Sequence, residues 1–110
     1  MGRAANLDAV RMELTARIAA IDVRAPYLRN GEMAVAVDEI RHIAHHAGLN
    51  PTVTVAHFIE AALARGEGRN GRGPLVHGWL AMLRDAVSAE RQDVAACDTF
   101  AAACSVRLAA

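Results

Sequence analysis

The feature that most constrains this chain is the run Ala47-Gly48-Leu49-Asn50-Pro51, which stands between two apolar-periodic segments. Glycine directly after a helical stripe takes the left-handed conformation that closes a helix, because it has no Cβ to clash. Leu49 then packs back, Asn50 offers a cap, and Pro51 suits the first position of a new helix, where its missing N–H costs nothing. These four residues predict a tight helix–turn–helix corner at 48–51. On its near side Met33, Val37, Ile40, Ala44 and Ala47 step by threes and fours, predicting a helix over Met33 to Ala47. On its far side Val55, Phe58, Ile59, Ala62 and Leu63 predict a second over Pro51 to Arg65.

The rest of the chain extends the same grammar. Leu7, Val10, Leu14, Ile18 and Ile21 predict a first helix over Leu7 to Ile21, with Asn6 as N-cap and Asp8 in its first turn. Ala25-Pro26 breaks it, Tyr27 and Leu28 are expected to pin the connection to the core, and Asn30-Gly31 is a turn signal. Gly66 ends the third helix, and Gly66 to Gly73 reads as a flexible loop. Pro74 opens a helix whose stripe is Val76, Leu80, Leu83 and Val87. The rhythm continues through Glu90, Val94, Cys97, Ala101, Cys104 and Leu108 without glycine or proline, which predicts one helix to about Leu108. A break near Arg91 to Asp93, with Asp93 as cap, is the alternative, since a mean helix has only about three turns.

The fold class is therefore all-α: one domain over residues 1–110, a bundle of four to five helices with a long C-terminal helix or helix pair. Composition agrees. Alanine makes up about a quarter of the chain, and 54% of the 110 residues are apolar but only 4% aromatic. Alanine favours helix and close helix–helix approach. So much apolar surface on so short a chain predicts a homo-oligomer, with the seam placed on the Val76 to Leu108 stripe. A further protein partner fits the same reading.

Charge narrows function. Twelve arginines balance twelve acids and there is no lysine. That neutral, interleaved pattern does not predict a nucleic-acid partner. No segment approaches the roughly 20 apolar residues of a membrane span, so no membrane partner is expected. Cys97 and Cys104 lie about two turns apart on one helix, too far for a mutual disulfide. They read as reduced, buried thiols of a cytoplasmic protein. No cofactor is implied and no catalytic residue is assigned; both cysteines lack a neighbouring histidine that would activate them.

Polar side chains away from the stripes supply the candidate sites. Glu39 and His42 form a Glu-x-x-His pair, and His42 and His46 are four apart on one helix face. Across the corner His57 and Glu60 sit on the polar side of the third helix, and pairing residues about Leu49 places His57 near Arg41 and His42. The candidate metal ligands are thus His42, His46, His57, Glu39 and Glu60. A solvated face with no ligand is the plain alternative, and it predicts a melting temperature indifferent to zinc. Metal would require neutral imidazoles, so its affinity would fall as pH drops through about 6.5, the ordinary imidazole value.

Two resemblances attach to the same segment. Ile43-Ala44-His45-His46-Ala47-Gly48-Leu49-Asn50 resembles the front half of a helix-turn-helix DNA-binding motif, with its small residue four before the turn glycine. The resemblance implies a recognition helix that presents Thr52, Thr54, His57 and Glu60. The second half departs from the pattern, and no basic residue occurs before Arg65. An exposed histidine on a hairpin helix also resembles histidine phosphotransfer domains, which implies His42 or His45 as phospho-acceptor. This chain lacks the lysine and glycine that follow the histidine in that family. The literal Gly66-x-Gly68-x-x-Gly71 follows a helix where a dinucleotide site needs a strand. Arg69 and Arg72 beside the Pro74 helix are at most an anion contact. The expected function is a non-catalytic interaction or regulatory module; a DNA-binding regulator, a metal-binding protein and a phosphotransfer protein are the alternatives.

Overall fold

The Gly48 corner forms as the sequence requires. In the computed structural model, which describes residues 3–67, 75–90 and 93–109, Gly48 has φ 75° and ψ 19°. The Leu49 N–H donates to the Ala44 carbonyl at 2.9 Å and the Gly48 N–H to the His45 carbonyl at 3.2 Å. This pair of bonds is a Schellman closure, and it satisfies carbonyls that a helix end leaves without partners. Leu49 is fully buried behind it. The same device recurs at Gly66, where Glu67 donates to Ala62 and Gly66 to Leu63.

Among the described residues there are five helices and no strand: α1 (Arg3–Arg24), α2 (Asn30–Ala47), α3 (Asn50–Ala64), α4 (Leu75–Ser88) and α5 (Val94–Ala109). A single 3-10 turn, Ala25–Tyr27, joins α1 to α2. α3 is central, packed by α2, α4 and α5, while α1 lies against α2 and α4. The core is one contiguous cluster that includes Leu14, Ile18, Met33, Ile40, Leu49, Ile59 and Trp79. Full burial of each such side chain contributes about 1.5–3 kcal/mol. None of the helices searched is long and apolar enough to cross a membrane.

Several sequence expectations are corrected. α1 begins by Arg3, so Asn6 lies inside it and is not its N-cap. Asn30 and Gly31 are the first residues of α2 rather than a turn. Glu32 makes that early start possible, since its carboxylate accepts the Arg29 N–H at 3.0 Å. Tyr27 does not pin the connection: it is 86% exposed, and Ala25 with Leu28 fills the core there instead. Phe58 is only half-buried, at the edge of the core.

The largest correction concerns the C-terminal third. The continuous helix from Pro74 to Leu108 does not form; α4 ends at Ser88 and α5 starts at Val94. Asp93 caps the new helix, its carboxylate accepting the Ala96 N–H at 2.9 Å. The break folds α5 onto α3 and brings the Cys104 thiol within 3.2 Å of the Met82 sulfur. Val94, the stripe residue after the break, is then 76% exposed, and Cys97 is only partly buried. The Gly68 to Gly73 loop with Arg69 and Arg72, together with Pro74, Arg91 and the Leu108 side chain, lies outside the described residues.

Candidate functional site

The polar side chains singled out at the corner do come together, but chiefly with arginine. Arg41 is the hub. Its Nε donates to Glu60 at 2.8 Å across the α2–α3 hairpin, and its other arm holds Asp38 one turn back. The Asp38 carboxyl lies below its ordinary range, held there by a hydrogen bond from Glu60 and then by Arg41. Glu60 moves the other way: burial pushes its carboxyl up, and its hydrogen bond to Asp38 adds to that. Two carboxyls in contact cannot both ionise freely, so their values are pushed apart, the more buried one upward. The Arg41 guanidinium is raised in turn, chiefly by Asp38.

The other predicted ligands disperse. Glu39 points to α1 and receives a hydrogen bond from Arg17 at 3.2 Å. His57 is exposed on α3, its ring edge-on to Phe58 at 6.5 Å between centroids. His42 stays on the α2 face with its Nδ1 2.9 Å from the Asp38 carbonyl and 3.3 Å from the Asp38 carboxylate. His46 is exposed one turn on, and the His45 ring meets it edge-on at 5.9 Å. Among the described residues no three histidine, cysteine or acidic side chains converge to hold an ion. Asp22 and His77 form a separate link between α1 and α4, 2.6 Å apart.

Of the residues that a recognition helix would present, His57 is exposed but others are not. Thr52 is fully buried, and Glu60 is taken by Arg41. The α4 part of the expected Val76 to Leu108 dimer seam is consumed within the chain. Val76, Leu80, Leu83 and Val87 are core residues, as is Cys104.

A different face is left open, and the sequence reading missed it. At about 100° per residue, Leu14, Ile18 and Ile21 define the inward side of α1. Ala9, Met12, Ala16, Ala19 and Val23 fall about 180° away on the same wheel. All five are exposed, Met12 at 74% and Val23 at 76%. α1 is fastened on both flanks between them. Arg17 reaches Glu39 on one side. On the other, Arg11 donates to the carbonyls of Val87 and Ala89 at 3.1 and 3.2 Å, and Asp22 holds His77. The ties fix which side of α1 faces solvent. Ala9, Ala16 and Val23 are seven apart, as are Met12 and Ala19, which is the spacing of a helix–helix seam. That repeat was the available signal; alanines on both sides of the helix concealed it.

No family model, no curated protein and no solved structure matches this chain.

Proposed function

We propose that the protein is a non-catalytic helical interaction module that pairs with a second copy of itself through the outer face of α1. One observation carries the reading: a helix firmly attached to its own bundle presents a second, uncharged apolar stripe directly opposite its core side. Isolated apolar residues on a surface are ordinary, but an ordered seven-residue repeat of them is not.

The second copy is favoured as occupant because the Ala9, Ala16 and Val23 line of the stripe complements itself about Ala16. Two antiparallel α1 helices related by a twofold axis at that residue set Ala9 against Val23 and Met12 against Ala20. Each large side chain meets an alanine, and Ala16 meets Ala16, where two small residues allow close approach. In this arrangement like flanks face each other, which brings Glu13 beside Arg17 of the second copy. Those two already attract at 3.3 Å within one chain.

The stripe is about 21 Å long, at 1.5 Å per residue. At a helix width of about 10 Å the stripe covers about 200 Å², short of the roughly 800 Å² per partner of a standard interface. The dimer is accordingly concentration-dependent rather than permanent. The DNA-binding and phosphotransfer alternatives gain no comparable support. Thr52 is sealed in the core, and Glu60 is bound to Arg41.

Sedimentation equilibrium over the micromolar range tests the reading. Wild-type protein is expected to move from monomer toward dimer as concentration rises. Ala16→Arg is expected to remain monomeric with an unchanged melting curve, since Ala16 is exposed in the single chain. Wild-type protein that stays monomeric throughout would overturn the proposal.

A further inference from the structure

We infer that His42 and His46 form a two-imidazole site for a borderline divalent cation of the copper, nickel or zinc type, completed by water. The inference goes beyond the self-association of α1 and is independent of it, since the site lies on the exposed face of α2.

Imidazole is a suitable ligand for these ions, and two histidines four apart on a helix stand one turn above one another on the same face. Spacing alone is a weak warrant; the surroundings of His42 strengthen it. Its Nδ1 sits 2.9 Å from the Asp38 carbonyl oxygen and 3.3 Å from an Asp38 carboxylate oxygen. Both partners are acceptors, so the neutral ring carries its proton on Nδ1 and keeps the lone pair on Nε2. This is the arrangement in which a carboxylate or carbonyl behind a histidine orients the ring and raises its basicity toward a metal. Asp38 is itself fixed, because Arg41 holds it and Arg41 is tied to Glu60 on the next helix. The backing group therefore belongs to a bridged network rather than to a free side chain.

The nearby competitors are accounted for. Glu39, the other acid one turn from His42, is occupied by Arg17, and Glu60 by Arg41. His57 lies on α3 beside Phe58. What remains is an open site with two protein ligands, where Nε2 of His42 and one ring nitrogen of His46 would each sit about 2.0–2.1 Å from the ion. His46 is exposed one turn along the same face.

The test is calorimetric titration of tag-free protein near pH 7.5 with copper, nickel or zinc chloride in turn. The expected result is one ion per chain, with affinity in the order copper, nickel, zinc. His42→Ala and His46→Ala should each weaken binding at least tenfold, whereas His57→Ala, His77→Ala and Cys97→Ser should leave it unchanged. Ala16→Arg should bind as wild type does, which separates this proposal from the dimer. All the substituted histidines are exposed, so the variants fold, and their melting curves without metal verify that. Wild-type protein that takes up no ion at millimolar concentration would overturn the inference. So would binding that survives both His42→Ala and His46→Ala.

Discussion

Replacing Gly48 with valine isolates the energetics of the corner on which the fold turns. Gly48 has φ 75°, and a Cβ built on it meets nothing within 4 Å. Crowding by neighbours therefore contributes nothing, and the whole cost is the local strain of a left-handed residue with a side chain. That strain is about 1–2 kcal/mol for an ordinary residue, and larger for a β-branched one. Removing glycine also restricts the unfolded chain, which offsets about 0.4–1 kcal/mol. The net expectation is about 1 kcal/mol lost for Gly48→Ala and about 2 kcal/mol for Gly48→Val. Gly48→Asn should lose least, since asparagine tolerates this conformation. Urea denaturation followed by circular dichroism at 222 nm reads these differences as midpoint shifts at constant slope. At about 4 °C per kcal/mol, Gly48→Val should also lower the melting temperature by roughly 8 °C. A valine variant as stable as wild type would refute the reasoning, as would a reversed order of the three.

Two further outcomes follow from burial and charge. Leu83 is fully buried within one chain, so Leu83→Asp should cost several kcal/mol and unfold the protein; a folded, merely dissociated Leu83→Asp monomer would contradict its place in the core. Because the Glu60 carboxyl is raised on folding, the folded state holds that proton more tightly than the unfolded chain. Glu60 thus favours folding below its unfolded value, and that contribution is lost as pH rises through its folded value. Glu60→Gln keeps a donor for Asp38 and an acceptor for Arg41 without the charge. Its melting temperature relative to wild type should therefore be higher at pH 7.5 than at pH 4, and the opposite trend would count against the assignment.

How far the sequence could be read depends on where its turns carry distinctive chemistry. The Gly48 and Gly66 closures were legible because each glycine follows the last apolar residue of a stripe. The break between α4 and α5 was not, because Ser88 to Asp93 holds neither glycine nor proline. Only Glu90 interrupts the rhythm there, and the cap at Asp93 was visible as one option among two. The early start of α2 rests on Glu32 reaching back to Arg29, a contact that competes with the turn preference of Asn30-Gly31. For the polar residues, spacing put Glu60 on the polar side of its helix but named His57, not Glu60, as the neighbour of Arg41. It could not show that arginine, rather than a metal ion, would take Glu39 and Glu60. The outer face of α1 was hidden by composition, since alanine serves equally in a core and on a surface.

Disulfide trapping at the proposed twofold axis tests the self-association most directly. In a Cys97→Ser background, which leaves only the buried Cys104, Ala16→Cys places a thiol at the one stripe position that faces its own copy. Mild oxidation should convert this variant to a covalent dimer. Ala9→Cys alone should stay uncrosslinked, because its counterpart is Val23, and Ala9→Cys combined with Val23→Cys should crosslink again. An Ala16→Cys variant that remains monomeric under oxidation, or an Ala9→Cys variant that crosslinks as readily, would contradict the antiparallel pairing of α1.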